Sequence, residues 1–276
     1  MKMTVNLKDI KKLTSSMSET TLMPVLFVGH GSPMNAIEEN EFTAGWRSVG
    51  ESIVTPRAIL CVSAHWETKG TLITAMPQPR TIHDFCGFPE QLYSVQYPAP
   101  GSQHVASETR EQLSHVKVEL DQNWGLDHGC WSILRHMYPG AKIPVLQLSL
   151  DYTLSPSAHY DLARNLAGLR RKGILVIGSG NIVHNLRLIR WNKPLGGHDW
   201  AEETNEKMKQ LIMAKEHKIL TGYASPGQEM ALAIPTAEHY LPLLYALALQ
   251  EKNESVSIFN DKVVYGSVSM TSIIIN

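Results

Sequence analysis

Four short runs in this 276-residue chain are apolar almost throughout: Pro24–Val28, Ala58–Ser63, Ile143–Leu150 and Ile174–Ile177. None shows the strict apolar–polar alternation of a half-exposed strand. A strand carries such a run when both its faces are covered, as in a sheet lying between two helix layers. Val263–Met270 reads as a fifth strand. Helical patterns fall between the runs. Ser155-Pro156 supplies an N-cap followed by proline at the first helical position, Leu162, Leu166 and Leu169 share one face, and Gly173 stops the helix. Asp199 with Glu202 reads as a capping box opening a helix to about Lys215. His104–His115, Trp131–Tyr138 and Leu241–Gln250 are further helices. Strands alternating with helices predict an α/β fold, with a central mostly parallel or mixed sheet covered by helices on both faces.

No composition break divides the chain, and no repeat or low-complexity tract interrupts it. Residues 1–22 read as a polar leader with a short helix around Leu7–Leu13, and residues 23–276 as a single domain. The Pro- and Gly-rich stretch Thr71–Gly101 reads as a long ordered excursion of the kind that often carries function. The net charge of -1 gives no reason to expect nucleic acid or an anionic membrane as partner. No apolar run approaches the roughly 20 residues of a membrane span. Cys61, Cys86 and Cys130 are odd in number, widely spaced and form no CxxC pair, so neither a zinc finger nor a disulfide framework is indicated, which suits a reducing cytoplasm.

The excess is in histidine, of which there are twelve. PVLFVGHGSP places His30 just past one apolar run, AILCVSAHW places His65 just past another, and GILVIGSGNIVHN places His184 after a third. In open α/β sheets, ligands bind outside the carboxyl ends of the strands. The small residues beside these histidines let the backbone turn and leave room for a ligand. One strand-end histidine is ordinarily a satisfied polar residue; three after the same strand–small pattern point to convergence. His239, beside Glu238, and His128, in WGLDHGCW, are further candidates. His83 in TIHDFCGFP is ambiguous, with Asp84 placed to orient it. His104, His115, His136, His159, His198 and His217 read as surface or packing residues.

Imidazoles with open positions suit a non-haem Fe(II) or catalytic Zn site. There is no HExxH, no GxSxG elbow and no Walker A loop, and GSGNIV lacks the third glycine of a dinucleotide fingerprint. Trp66, Phe85, Phe88 and Trp131 lie near the motif residues and could wall a pocket, with Phe85 and Phe88 the better placed for a lid.

GHGSPM at 29–34, SAHW at 63–66, TIHDFCGFP at 81–89, YPAPG at 97–101, DHG at 127–129, GSGNIVHNL at 178–186 and PTAEHYLPLLY at 235–245 occur in this order. Together they resemble the DOPA extradiol dioxygenase branch of the class III extradiol dioxygenases, from about Pro24 to the C-terminus. The resemblance implies that His30, His65 and His239 bind a metal, with Glu238 the competing choice for the third position. It implies His184 as a ligand or the catalytic base, and His128 as a second pocket histidine that donates to oxygen. His83, Phe85 and Trp66 are then expected at the substrate. The implied reaction opens a small catechol, DOPA-like or simpler, with O2 to give a muconic semialdehyde. Fe(2+) is expected for turnover and Zn(2+) in protein as purified, since zinc binds such sites more tightly. A zinc hydrolase and a non-catalytic metal-binding protein on the same scaffold are the competing readings. A monomer or homodimer is expected.

Overall fold

The structure is a computed structural model that describes residues 22–222 and 228–276. The proposed leader and its short helix fall, apart from Leu22, outside the described residues. Eight strands form one sheet in the order β4-β3-β5-β2-β6-β1-β10-β7. Its centre is parallel: β5 (Val145–Asp151), β2 (Ala58–Thr68), β6 (Ile174–Gly180) and β1 (Val25–Gly29). These are the four near-continuous apolar runs, and β1, β5 and β6 are buried at every position. Antiparallel neighbours flank the centre. β3 (Thr71–Thr74) runs against β5, and β10 (Ser272–Ile275) runs between β1 and β7 (Val256–Phe259). β4 (Val118–Asp121) pairs parallel with β3 at the edge. The α/β class and the mixed, mostly parallel sheet are as expected.

Two apolar clusters cover the two faces. One packs Leu162, Leu166, Met208, Leu244 and Leu247 against Val25, Leu60 and Val176. The other packs Trp46, Trp131 and Leu134 against Leu26, Ile59 and Ile177. The alternation of neighbours such as Leu60 and Ile59 between the clusters is the two-residue period of a strand covered on both sides. The helix Leu241–Ala248 is buried from Leu241 to Leu247, because it lies between the sheet and the helix Pro156–Arg164. No helix among the described residues is long and apolar enough to cross a membrane.

Several elements differ from the sequence expectation. Val263–Met270 is not one strand. β8 (Val263–Val264) and β9 (Val268–Ser269) form a hairpin, and the chain reverses at Tyr265 and Gly266, where φ is +50° and +84°. A glycine takes the second of these conformations without steric cost. Asp199 is the first residue of its helix rather than its cap. His198 holds the cap position, and the Glu202 carboxylate accepts a hydrogen bond from the Gly197 N–H at 2.7 Å. The helix foreseen from Trp131 starts at His128, because Asp127 caps it: Oδ1 accepts from Cys130 N at 3.1 Å. The helix Glu41–Ser52, absent from the sequence reading, is opened by a reciprocal cap between Asn40 and Thr43.

Arg170, 1% exposed, ties three parts of the chain together. Its Nε donates to Met23 O at 2.7 Å, ahead of β1. Its Nη1 donates to Leu249 O at 2.7 Å, and its guanidinium pairs with Glu254. Truncating one partner of a buried ion pair strands the other charge. Arg170→Ala is therefore expected to lower unfolding stability by about 3–5 kcal/mol. Urea denaturation of the full chain checks this, and a loss comparable to that of an exposed arginine such as Arg187 would contradict it.

Candidate metal centre

The carboxyl ends of β1, β2 and β6 lie side by side, and the histidines emerge there. His30 directly follows Gly29 at the end of β1 and is 1% exposed. His65 is not past the end of its strand. It sits inside β2 at an irregularity, where the pairing with β5 jumps from Val62↔Leu148 to Glu67↔Leu150. The extra residues make a bulge that turns His65 toward the site; bulges re-aim side chains in this way. His239 arrives from the other layer, just before the helix Leu241–Ala248. Its carbonyl accepts from Asn181 N at 2.8 Å, one residue beyond β6. This approach needs Gly180, since a Cβ there would stand 2.1 Å from the His239 carbonyl oxygen. His128 occupies the first turn of its helix.

The structure brings His30, His65 and His239 together. Their ring centroids are 5.0 Å (His30–His65), 5.0 Å (His65–His239) and 5.3 Å (His30–His239) apart, a nearly equilateral triangle. His65 and His128 are closer still, at 4.0 Å. His184 stacks on His239 with centroids 3.5 Å apart and planes 8° from parallel. One candidate ligand atom each from His30, His65 and His239 can be chosen so that all lie within 4.8 Å of one another, and the same holds for His184, Glu238 and His239.

Hydrogen bonds fix which nitrogen each ring presents. The Ser179 hydroxyl donates its one proton to Gly129 O at 2.6 Å, so toward His30 Nδ1, at 3.0 Å, it can only accept. Asp84 Oδ2 accepts from His128 Nδ1 at 2.9 Å and Oδ1 takes the His128 backbone N–H at 2.8 Å, while Oδ2 also lies 3.2 Å from His65 Nδ1, where its negative charge favours a proton on that nitrogen. Glu238 Oε1 accepts from His239 Nδ1 at 3.2 Å and from the Thr236 hydroxyl at 2.7 Å. His30 and His239 thus carry their ring proton on Nδ1, the Asp84 charge favours the same for His65, and the Nε2 of each of these three rings keeps a lone pair. His30 Nε2 and His65 Nε2 then face one another at 3.1 Å. Two lone pairs at that distance repel unless a cation lies between them. Two imidazoles on a metal, with bonds of about 2.0–2.1 Å, place their nitrogens at about this separation. The residues therefore fit a divalent metal, and oxygen acceptors behind the ligand rings are the usual partners of metal-bound histidine.

Burial keeps the rings neutral. It lowers the pKa of His30 and His239 well below the ordinary value, reinforced by the neighbouring imidazoles. Burial, then the charge on His128, lowers His65 to about 3, against the pull of Asp84; burial likewise lowers His184 to about 4. Burial would raise Asp84, but the hydrogen bonds and charge of His128, with His65, outweigh it and hold the carboxyl below its usual range. Beneath them lies Asp127, fully buried and raised to about 6 by burial and then by Asp84. It accepts from Ser63 Oγ at 2.7 Å and from Gln147 Nε2 at 2.6 Å, so the cap of the His128 helix is anchored in β2 and β5.

The histidines form the floor of a cavity of about 550 Å³. Its walls include Phe85 and Phe88, then Leu186, Ile189 and Trp191 from the segment after β6, then Val264, Tyr265 and Val268 from the β8–β9 hairpin. Trp66 does not reach the cavity. Beside His65 on β2 it points to the other side, where it is 4% exposed and stacks on Trp124 at 5.6 Å. His83 stands behind the wall, its Nε2 bonded to Val95 O at 3.0 Å, with Phe85 and Trp131 packed around it. Trp131 is buried, its indole N–H donating to Ile82 O. Asp84 orients His65 and His128, not its neighbour His83. Sequence reasoning missed that role, the Ser179 acceptor and the hairpin wall. The hint for Asp84 was only its adjacency to a histidine.

The comparisons with known proteins agree with this geometry. The sequence profile of the family described as the catalytic LigB subunit of aromatic ring-opening dioxygenase matches residues 23–275. The chain is 43% identical over 276 residues to an Escherichia coli K12 protein named 4,5-DOPA dioxygenase extradiol, covering 98% of this chain and 99% of that one. It is 34% identical over 271 residues to a Beta vulgaris protein of the same name, covering 92% and 99%. A crystal structure of an uncharacterized protein from Escherichia coli K12 superposes with a TM-score of 0.82 at 41% identity, covering 92% of this chain and all of the other. The chain belongs to the LigB family of class III extradiol dioxygenases, and it is an aromatic ring-opening dioxygenase, an oxidoreductase of the DOPA dioxygenase family. The family typically uses a divalent metal and implies a catechol-type substrate and O2.

The neutral histidines carry a stability cost in acid. Between the ordinary pKa near 6.5 and the folded values of about 3 and 4 for His65 and His184, the unfolded chain binds protons that the folded chain refuses. Their contribution is whole above pH about 6.5 and is lost as pH falls toward those folded values. The metal-free protein should lose on the order of 1 kcal/mol per pH unit per histidine below that point. Denaturant midpoints recorded from pH 7.5 to 5 on chelator-treated protein test this; a flat profile would contradict it.

Proposed function

We propose that His30, His65 and His239 hold one divalent metal, and that the site opens a small catechol beside its diol with O2 to give a muconic semialdehyde. The facing Nε2 atoms of His30 and His65, with Ser179 at the Nδ1 of one ring and the Asp84 carboxylate beside the Nδ1 of the other, carry the metal assignment. Family membership carries the reaction class. Glu238 then serves as the acceptor that orients His239 rather than as the third ligand. The metal, bound there, supplies Lewis acidity toward the diol and, as Fe(2+), the redox route by which dioxygen meets the ring. Zn(2+) in protein as purified follows from its tighter binding to imidazole sites.

The remaining work falls to the chain's own residues. His184, neutral near pH 7 and stacked on His239, takes the phenolic proton as the catechol seats. His128 presents Nε2 to the cavity, because Asp84 holds Nδ1. It would take the second phenolic proton of the catechol at Nε2, with Asp84 compensating the charge gained, and then donate that proton to oxygen as the O–O bond is cleaved. The apolar walls exclude water from the opening ring.

The test is anaerobic reconstitution of metal-free protein with Fe(2+) and, separately, Zn(2+), followed by catechols and oxygen. Oxygen uptake with a yellow product is expected with iron alone. His184→Ala should lower kcat by about 10²–10⁴-fold at unchanged iron content. No oxygen uptake on any catechol, in protein shown to contain iron, would overturn the reading and favour a zinc hydrolase or a metal-binding protein. Asp84→Asn loses one acceptor and sets an amide N–H against an imidazole N–H. It should cost roughly 10–100-fold in metal affinity or kcat/KM, read by chelator competition and oxygen uptake. An Asp84→Asn protein with full affinity and full activity would remove Asp84 from the mechanism.

A further inference from the structure

We propose that this cavity selects an uncharged catechol bearing an apolar substituent, such as an alkyl or aryl group, over a zwitterionic one; this rests on the ring-opening reading above. The cavity has two unlike ends. The floor, with the histidines and Asp84, is where a diol and dioxygen would sit. The wall beyond it is apolar, lined by Phe85, Phe88, Ile189, Trp191, Val264 and Tyr265. Among the described residues the lining contains no lysine and no arginine, and Asp84 is its one carboxylate. Asp84 is already engaged by His65 and His128.

An amino-acid substituent would bring an ammonium and a carboxylate against that wall. The carboxylate would shed water without meeting a cation, which is costly wherever the group is enclosed. Arg187 and Arg190 lie on the same segment as Leu186, Ile189 and Trp191, but they are exposed and outside the lining. An apolar substituent meets the opposite situation. Trp191 is 71% exposed and Leu186 61%, and the Trp191 ring lies 5.7 Å from that of Tyr265. Large apolar side chains left in water at a cavity mouth mark a surface that a ligand covers. A cavity of about 550 Å³ also lies within the range of ligands larger than a bare catechol ring.

The test compares catechol, 4-methylcatechol, 4-propylcatechol and DOPA in two ways. Dissociation constants are measured anaerobically by titration calorimetry on zinc-loaded full-length protein, and kcat/KM by oxygen uptake on the iron-loaded protein. Affinity should rise along the alkyl series by up to about fourfold per buried methylene, and by about tenfold or more from catechol to 4-propylcatechol. DOPA should bind no more tightly than catechol. Trp191→Ala, an exposed position where folding is not at stake, should shrink the propyl-to-catechol ratio in both measurements. DOPA bound or turned over better than 4-propylcatechol would overturn the inference while leaving the ring-opening reading intact. A propyl-to-catechol ratio unmoved by Trp191→Ala and Ile189→Ala would also overturn it. Oxygen uptake with none of the four would instead strike the ring-opening reading, and the binding series would still decide what the wall prefers.

Discussion

The site depends on imidazoles held neutral and aimed inward by hydrogen bonds at the far side of their rings. Burial alone would keep the rings unprotonated, but it would not orient them. Orientation comes from Ser179 behind His30, Asp84 behind His65 and His128, and Glu238 behind His239. Each acceptor favours the ring proton on Nδ1 and leaves Nε2 facing the centre. A buried polar atom without a partner is costly, so the geometry that satisfies Nδ1 also leaves Nε2 in need of an electrophile. One oxygen, Asp84 Oδ2, serves two rings, which is why His65 and His128 stand as close as 4.0 Å.

The fold supplies the rigidity that this arrangement needs. β2, β6 and β1 are adjacent parallel strands, so their carboxyl ends open on one side of the sheet. His30 is one residue beyond such an end, and His65 leaves β2 through a bulge. The helix Leu241–Ala248 can bring His239 in from above because Gly178 and Gly180 admit the Pro242 and His239 carbonyls, positions that a Cβ would block. The buried Asp127 makes the start of the His128 helix part of the sheet through Ser63 and Gln147. Sites built on such elements hold their geometry more closely than sites built on loops.

His30, His65 and His184 were legible because a buried strand followed by small residues and a histidine is a local pattern. The central strands were legible for the same reason: being covered on both faces makes each an unbroken apolar run. What escaped depends on contacts between distant segments. Asp84 is next to His83 in sequence, yet across the excursion it meets His128, 44 residues on. Trp66 shares a motif with His65, but neighbours on a strand point to opposite faces, so proximity in sequence argued against a shared pocket. The strands β3, β4, β7 and β10 are four residues long and belong to the sheet margins, where the apolar signal is short. The turn at Tyr265-Gly266 broke a run that composition alone made continuous.

The cavity divides the two kinds of information. Its floor is held by strand ends, a bulge and the first turns of helices, where a change disturbs the sheet. Its wall is carried by the loop at 85–88, the segment at 186–191 and the β8–β9 hairpin, where a side chain can change with little consequence for the core. In the proposed reaction a diol and dioxygen would meet the floor, and a ring substituent the wall. Likeness to proteins named for one catechol therefore carries the ring-opening chemistry further than it carries the substituent. Which substituent this chain accepts has to be read from the wall it presents, and among the described residues that wall contains aromatic and aliphatic side chains but no cation to meet a carboxylate.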